Sequence, residues 1–229
     1  MIKTLLWDID GTLLDFGKAE AYGIRKCFEA FGLGECTDEM LKRYSVINRK
    51  YWEKLERGEI TKTQVLHDRF AEFFGSEGIN FDRINEFNDE YQERLGDKAF
   101  FCDNGLETVT ALKGKIRQYA VTNGTIVAQS RKLAQSGLID IFDGVFISDK
   151  IGFEKPSIEF FKAVESEIGA FSHDEVMIIG DSLTSDMRGG NNVNILCCWY
   201  NSHGAENKDN IRIDYEINDI SEVLGILNK

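Results

Sequence analysis

The sequence predicts an α/β fold in which a doubly wound parallel sheet carries an inserted α-helical cap. Two observations lead to this class. The chain opens with a short apolar strand pattern and, after residue 98, alternates between strands and helices to its end. Between these parts, residues 16–98 show helical periodicity and no strand pattern. Alternating units favour a parallel sheet covered on both faces, and 229 residues with 42% hydrophobic content suffice to bury its core.

The first strand and the helical insert come first along the chain. Residues 2–9 are mostly apolar and predict a buried strand. Four amphipathic helices follow; Thr37 can cap the second, and Thr61 with Gln64 forms a capping box for the third. Their apolar stripes are Ile24, Cys27, Phe28 and Phe31; Leu41, Tyr44, Ile47, Tyr51 and Leu55; Leu66, Phe70, Phe73 and Phe74; and Ile84, Phe87, Tyr91 and Leu95. The glycines predicted to end them are Gly32, Gly58, Gly75 and Gly96.

The second half of the chain supplies the rest of the sheet. Predicted strands lie at 117–122, 145–147, 176–179, 195–200 and 215–217, and predicted helices at 105–113, 125–136, 157–168, 185–192 and 220–227. Ser172 with Glu175 is predicted to form another capping box, ahead of the strand at 176–179. We therefore expect residues 1–15 and 99–229 to form an α/β core domain, and residues 16–98 to form a cap domain over the strand ends.

Composition disfavours several classes of partner and location. The 27 Lys+Arg against 39 Asp+Glu give a net charge of −12, which disfavours nucleic acid and anionic membranes as partners. No apolar run is long enough to span a bilayer. The 5 cysteines include no C-x-x-C pair and predict reduced thiols in a cytoplasmic protein. His67, His173 and His203 show no zinc spacing. The sequence therefore assigns no role to these histidines or to the cysteines. It also leaves open whether the protein is a monomer or a dimer.

The end of the first strand carries two aspartates. In doubly wound sheets, ligands bind at the carboxyl ends of the strands. Asp8 and Asp10 lie at such an end, and the two-residue period of a strand places their carboxylates on the same side. Two charges this close require a cation or a proton between them. Gly11 permits a sharp turn and Thr12 can hydrogen bond, so the segment predicts a site in preference to an ordinary acidic turn.

Polar residues also follow three later strands. Residues 122–124, Thr-Asn-Gly, offer a hydroxyl and backbone N–H groups for phosphate oxygens. Lys155, stiffened by Pro156, offers a positive charge. Asp181 and Asp186 offer further carboxylates after the strand at 176–179. Taken singly, residues 122–124 are better explained as a turn and Lys155 as a solvated side chain, while Asp181 and Asp186 fit a cation site and an ordinary turn equally well.

The charges of these residues balance around one divalent cation. Asp8, Asp181 and Asp186 together carry three negative charges when ionised. Lys155 and a divalent cation together carry three positive charges, so the sum is zero. A site with oxygen ligands and without His or Cys favours Mg²⁺ over zinc. Asp10 is then left free to hold a proton, which a general acid must do.

In kind and order, these motifs resemble those of the haloacid dehalogenase-like phosphohydrolase superfamily, whose core is Rossmann-like. The family's four motifs match residues 8–12, 122–124, 155–156 and 180–186, and the helical insert is similar to the family's helical cap. The resemblance implies that Asp8 attacks phosphorus and forms an aspartyl-phosphate. It implies that Asp10 protonates the leaving oxygen and then deprotonates the attacking water.

The same resemblance implies the rest of the site. The groups implied to hold or neutralise the phosphoryl oxygens are Gly11, Thr122, Asn123 and Lys155. The groups implied to bind Mg²⁺ are the carboxylates of Asp8 and Asp181 and the backbone carbonyl of Asp10. Asp186 is implied to act at the same metal site, by holding either the metal's water shell or Lys155. A halide leaving group needs no proton, so the presence of Asp10 favours a phosphatase over a dehalogenase. A mutase would need an acid/base pair in the insert, and none is obvious.

The cap decides the predicted substrate. Residues 44–74 and 198–201 resemble the pyrimidine 5′-nucleotidase branch, which implies a nucleoside 5′-monophosphate as the small-molecule partner. Phosphoglycolate and sugar phosphates are the alternative substrates, and a phospho-aspartate signalling module is the non-enzymatic alternative. His67 and Arg69 could face the cleft. The cap aromatics could either stack on a base or form the cap's own core, and they are Tyr51, Trp52, Phe70, Phe73 and Phe74.

Overall fold

The computed structural model describes residues 1–228 and contains one six-stranded parallel sheet. Its strands are β1 (Thr4–Trp7), β2 (Arg117–Thr122), β3 (Gly144–Ile147), β4 (Val176–Gly180), β5 (Leu196–Tyr200) and β6 (Tyr215–Ile217). They lie in the order β3-β2-β1-β4-β5-β6, and each neighbouring pair is parallel. The chain runs outward from β1 to β3 and then returns to the other side of β1. This order confirms the predicted doubly wound class.

Ten helices accompany the sheet within the described residues. They are α1 (Phe16–Phe31), α2 (Asp38–Glu56), α3 (Lys62–Ser76), α4 (Ile84–Arg94), α5 (Gly105–Leu112), α6 (Ile126–Ser136), α7 (Ser148–Ile151), α8 (Ile158–Ile168), α9 (Arg188–Asn192) and α10 (Val223–Leu227). Short 3₁₀ turns at Leu138–Asp140 and Ile220–Glu222 and a π turn at Leu183–Met187 complete the set. Of the α-helices, only α7 was absent from the sequence prediction, because four residues are too few to show a period.

Hydrophobic clusters cover both faces of the sheet. One contains Leu5, Trp7 and Ile179, and the other contains Leu6 and Ile178, so successive residues of β1 and β4 point to opposite faces. All residues of these two strands are buried. The near-continuous apolar runs of the central strands thus follow from burial on two sides.

The helices α1–α4 enclose a separate aromatic cluster. Phe28, Tyr44, Phe70, Phe73 and Phe87 are fully buried there, with ring centroids typically 5–6 Å apart. Such tilted and edge-on ring pairs stabilise a core beyond their buried area. The division of the chain into a core domain and a cap domain at residues 15 and 99 remains a prediction. In residues 1–228, no helix is both long and apolar enough to cross a membrane.

Two local predictions were wrong. β1 ends at Trp7 and not at Ile9, because the Ile9 carbonyl already accepts the N–H groups of the turn that follows, including that of Leu13 at 3.0 Å. Ser172 and Glu175 form no helix cap. The backbone N–H of Glu175 donates to the Ser172 carbonyl in a turn that leads directly into β4, and the Glu175 carboxylate pairs with Lys3.

The end of α3 also differs from the sequence prediction. The helix continues through Gly75 to Ser76, and the left-handed residue is Gly78, with φ +67°. The N–H of Ile79 donates to the Phe74 carbonyl at 3.0 Å, which closes the helix end. Ile79 packs on the aromatic cluster of the cap, so the helix ends where this apolar side chain can be buried.

Two glycine substitutions test this helix end. Gly75→Ala should raise the free energy of unfolding by about 0.5–1 kcal/mol, because Gly75 is helical and a Cβ there meets nothing within 4 Å. Gly78→Ala should lower it by about 1–2 kcal/mol, because alanine is strained at positive φ. Urea unfolding of the two variants and the parent provides the measurement. Equal effects of both substitutions would contradict this assignment of the helix end.

Candidate active site

The predicted motif segments lie at one edge of the sheet. β1 pairs with β2 on one side and with β4 on the other. Asp8 and Asp181 directly follow β1 and β4, and Thr122 is the last residue of β2, so all three lie at the carboxyl ends of adjacent strands. This is the position at which the chain direction across the sheet reverses. Residues that are more than 100 positions apart in sequence are therefore brought to one crevice.

Lys155 lies at the centre of this crevice. Its ammonium donates to Asp8 Oδ1 at 2.8 Å, to Asp186 Oδ1 at 2.6 Å and to the carbonyl of Val121 at 2.7 Å. The side chain is fully buried. Desolvation disfavours its charge, but Asp186 and Asp8 outweigh desolvation and raise the pKa of Lys155. Of the two roles implied for Asp186, contact with Lys155 is therefore the one that the geometry shows.

Three carboxylates form an acidic cluster beside Lys155. One oxygen from each of Asp8, Asp181 and Asp186 lies within 4.8 Å of the others. Burial raises the pKa of Asp8 to about 7, opposed by Lys155 and reinforced by Asp186. Desolvation, followed by the charges of Asp8 and Asp186, also raises the pKa of Asp181, although that residue keeps exposed surface. One ammonium does not neutralise three carboxylates, so this donor set fits a further cation.

Thr12 and Gly11 shape the backbone around the carboxylates. Thr12 Oγ1 donates to Asp8 Oδ2 at 2.9 Å and accepts the backbone N–H of Asp181 at 3.0 Å. Gly11 has φ +91°, and a Cβ at this position would stand 2.5 Å from Asp181 Oδ2. A side chain would therefore be both strained and obstructed, and glycine is the residue that fits.

The side chain of Asn123 orients Lys155. Its Oδ1 accepts the backbone N–H of Lys155 at 2.9 Å, and its Nδ2 donates to the Lys155 carbonyl at 2.9 Å and to Ser185 Oγ at 3.3 Å. Both polar atoms of the Asn123 side chain are engaged in these bonds. The backbone N–H of Asn123 is therefore the group left for the predicted contact with phosphate. The neighbouring Thr122 side chain is fully buried at the end of β2.

Asp10 is placed differently from the sequence expectation. It was expected to stay free to hold a proton, but its two carboxylate oxygens accept from Lys132 Nζ at 2.8 and 2.7 Å. Gln129 Nε2 donates to Asp10 Oδ2 at 2.8 Å. The side chain of Asp10 is also outside the acidic cluster formed by Asp8 and its partners. The expectation that Asp10 has no charged partner was wrong, because it took account only of charges in the motifs, whereas Lys132 comes from helix α6. The proton-carrying role that the resemblance implies for Asp10 stays a prediction.

The cap also buries polar side chains that the sequence analysis missed. Arg69 is 1% exposed and donates to Asn48 Oδ1 at 2.8 Å and to Asn88 Oδ1 at 3.0 Å. Asn48 Nδ2 in turn donates to Glu20 Oε1 at 2.8 Å. All four residues are buried on helices whose other inward residues are mainly aromatic. The sequence contained one signal for these residues, because each is a polar residue at an inward position of an amphipathic helix.

Among the cap side chains that contact the core are Gln92, Glu56 and Lys62. Gln92 Oε1 accepts from Thr125 Oγ1 at 2.8 Å, directly before α6. Glu56, at the end of α2, accepts from Thr184 Oγ1 at 2.6 Å, and burial raises its pKa to about 7. Lys62 donates to the Ser148 hydroxyl at 3.2 Å and pairs with two core carboxylates. A cavity of about 780 Å³ between the cap and the core borders Glu56, Lys62 and Lys155.

The other cap residues considered from the sequence as substrate contacts, including Trp52, do not line this cavity. Phe70, Phe73 and Phe74 are at most 2% exposed and belong to the aromatic cluster of the cap. Tyr51 donates to the carboxylate of Glu72, on the neighbouring helix α3. His67 is only partly buried, and its ring contacts the carboxylate of its neighbour Asp68 at 2.9 Å.

Known proteins resemble this chain in sequence over nearly its whole length. Residues 2–194 match the haloacid dehalogenase-like hydrolase family. Pyrimidine 5′-nucleotidase PynA of Streptococcus pneumoniae is 34% identical over 229 residues, covering 99% of this chain and 95% of that protein. Pyrimidine 5′-nucleotidase YjjG of Escherichia coli is 26% identical over 225 residues, covering 98% and 97%.

The fold comparison agrees with the sequence comparison. The HAD-hydrolase YfnB of Bacillus subtilis is 34% identical over 226 residues, covering 99% of this chain and 95% of that protein. Its crystal structure with bound magnesium gives a TM-score of 0.93 and covers 100% of this chain and 99% of that chain. These findings confirm the family and the hydrolase class expected from the four motifs. The chain therefore belongs to the haloacid dehalogenase-like hydrolase family.

Proposed function

We propose that this hydrolase is a Mg²⁺-dependent phosphatase that cleaves small phosphomonoesters through an aspartyl-phosphate on Asp8. The observation that carries the proposal is the contact of Asp8 with the buried ammonium of Lys155 inside a cluster of three carboxylates. Lys155 and Thr12 each bind one oxygen of Asp8 and so fix the plane of its carboxylate. A nucleophile held in one orientation meets the phosphorus in line, which is the main requirement of phosphoryl transfer.

Hydrolysis then proceeds as two successive displacements at phosphorus. In the first, Asp8 forms a bond to phosphorus while the ester P–O bond breaks, and Asp10 gives its proton to the leaving oxygen. In the second, a water oxygen bonds to phosphorus, the bond to Asp8 breaks, and the water proton passes to Asp10. Lys155 and the backbone N–H groups after Thr122 offset charge on the phosphoryl oxygens.

The acidic cluster fits a magnesium ion. Asp8, Asp181 and Asp186 offer oxygen donors within 4.8 Å of one another, and Lys155 alone leaves excess negative charge. The raised pKa of Asp181 reflects this excess in part, since desolvation and the neighbouring carboxylates cause it. Oxygen donors without His or Cys suit Mg²⁺. When bound, the ion supplies charge that stabilises the phosphoryl oxygens.

We propose nucleoside 5′-monophosphates as the preferred substrates. Two relatives that cover almost the whole chain are named pyrimidine 5′-nucleotidases. Phosphoglycolate and sugar phosphates are the alternative substrates. The cytoplasmic location expected from the cysteines stays a prediction.

Replacing the nucleophile tests the mechanism. Asp8→Asn should lower kcat toward phosphomonoesters by roughly a thousand-fold or more, because the amide cannot form the acyl phosphate. Steady-state assays with p-nitrophenyl phosphate and UMP provide the measurement. Asp174→Asn, an exposed aspartate ahead of β4, is the matched control and should keep parental activity. Full turnover by Asp8→Asn would rule out the covalent mechanism, and a parental phospho-form that persists for hours would favour the signalling alternative.

Removal of magnesium should affect stability as well as activity. Mg²⁺ binds only the folded cluster, so a concentration of 100 times its Kd should add about 2.7 kcal/mol to the free energy of unfolding. Thermal unfolding with EDTA and with excess Mg²⁺ provides the measurement. Asp181→Asn should abolish most of this gain, while Asp174→Asn should retain it. A Tm unaffected by Mg²⁺ in the parent protein would refute the assignment of the cluster.

A substrate panel tests the substrate class. At equal Mg²⁺, kcat/KM for UMP and dTMP should exceed that for phosphoglycolate and for sugar phosphates by roughly ten-fold or more, which is the effect of about 1.4 kcal/mol of differential contact. A higher value for phosphoglycolate would establish the alternative substrate class and leave the phosphatase mechanism intact.

A further inference from the structure

The carboxylate of Asp10 is held by three charge-assisted or polar contacts. Lys132 Nζ lies 2.8 Å from Oδ1 and 2.7 Å from Oδ2, and Gln129 Nε2 lies 2.8 Å from Oδ2. Bonds in which both partners are charged are shorter and stronger than neutral ones. With both oxygens engaged, the carboxylate cannot rotate without breaking at least one bond to Lys132. The position of Asp10 is thus set from helix α6, and not only by its own backbone.

Lys132 is buried far more deeply than a surface lysine. Its side chain is 2% exposed, and its ammonium lies 5.0 Å from the ring centroid of Phe16. An ammonium removed from water needs a counter-charge, because an unpaired buried charge is strongly destabilising. Among the described residues, Asp10 is the carboxylate within ion-pair distance of Lys132. The two groups therefore require each other.

Helix α6 connects this pair to the rest of the crevice. Gln129 and Lys132 are three residues apart and lie on the same face of the helix. The helix begins directly after Thr122-Asn123-Gly124, and its N-cap Thr125 accepts the N–H of Ala128 at 3.2 Å. Gln129 also packs against this loop, since a Cβ on Gly124 would stand 2.5 Å from Gln129 Nε2. One rigid helix thus places both the loop and the groups that hold Asp10.

We propose that Lys132, assisted by Gln129, is a positioning residue that holds Asp10 where it exchanges a proton with the leaving oxygen. This inference rests on the proposed phosphatase function and assigns a role that the four motifs do not contain. A general acid acts only when its oxygen lies about 2.6–3.2 Å from the proton acceptor. A carboxylate released from Lys132 and Gln129 would occupy several rotamers and would meet this condition for a smaller fraction of the time.

Leaving-group dependence separates positioning from a purely structural role. The ratio kcat/KM reports steps up to departure of the leaving group, so it excludes hydrolysis of the aspartyl-phosphate. UMP and phosphoglycolate release alkoxides, which need a proton from Asp10. p-Nitrophenyl phosphate releases a stable nitrophenolate, which departs without one. General acid catalysis is worth about 100- to 10,000-fold, so its partial loss is readily measured with the alkyl substrates.

The experiment compares Lys132→Met with the parent protein at saturating Mg²⁺. We expect kcat/KM for UMP and phosphoglycolate to fall by roughly 10- to 100-fold, and kcat/KM for p-nitrophenyl phosphate to change by less than about three-fold. Lys132→Arg should recover part of the loss, because its guanidinium still pairs with a carboxylate. In the Asp10→Asn background, Lys132→Met should cause no further loss with UMP, since the residue acts through Asp10.

Two controls make the outcome decisive. Lys162→Met removes an exposed lysine from α8 and should leave both classes of substrate unchanged. Turnover of p-nitrophenyl phosphate by Lys132→Met shows that the variant is folded, and if it does not fold, Lys132→Arg and Gln129→Leu provide the same comparison. Equal losses with all substrates, or additive losses in the Asp10→Asn background, would overturn the positioning role. Full activity of Asp8→Asn would instead overturn the proposed function itself.

Discussion

The site depends on the ion pairs of one buried lysine. Lys155 joins Asp8, at the end of β1, to Asp186, in the turn after β4, through contacts of 2.8 and 2.6 Å. Its own backbone is held by Asn123, at the end of β2. Three adjacent strands are thereby tied together at their carboxyl ends. Removing one member of such an ion pair leaves the other as an uncompensated buried charge. The side chain of Asn123, which fixes the backbone of Lys155, therefore matters to the site as well as the two carboxylates that pair with its ammonium.

A second buried lysine repeats this arrangement on the other side of the first motif. Lys132 pairs with Asp10 as Lys155 pairs with Asp8, so each aspartate of the Asp-x-Asp segment has its own ammonium. The two pairs differ in their surroundings. Asp8 shares Lys155 with another carboxylate and lies in the acidic cluster, whereas Asp10 shares Lys132 with none and lies outside that cluster. The two aspartates of this segment therefore lie in different electrostatic surroundings.

The cap combines an aromatic core with a buried polar chain. The aromatic rings supply most of the packing between α1 and α4, while Arg69 donates to both Asn48 and Asn88 in the same interior. Gln92 then extends the contacts to Thr125, at the start of the helix that carries Lys132. These hydrogen bonds favour one specific arrangement of the cap helices, and among the described residues only Arg69 Nε of this buried polar chain is buried without a partner.

The sequence alone determined the fold class and the polar residues that lie at or just after the strand ends, because period-two and period-3.6 patterns record which side of an element is buried. It also supplied the capping box at Thr61 and the need for glycine at position 11. It did not determine which lysine neutralises which aspartate, nor where α3 ends. Asp10 and Lys132 are 122 positions apart in the sequence. Gly75 and Gly78 could each end α3, and the burial of Ile79 on the aromatic cluster favours the helix end at Gly78. Such outcomes depend on distances between elements, which periodicity does not encode, and only the tertiary structure decided them.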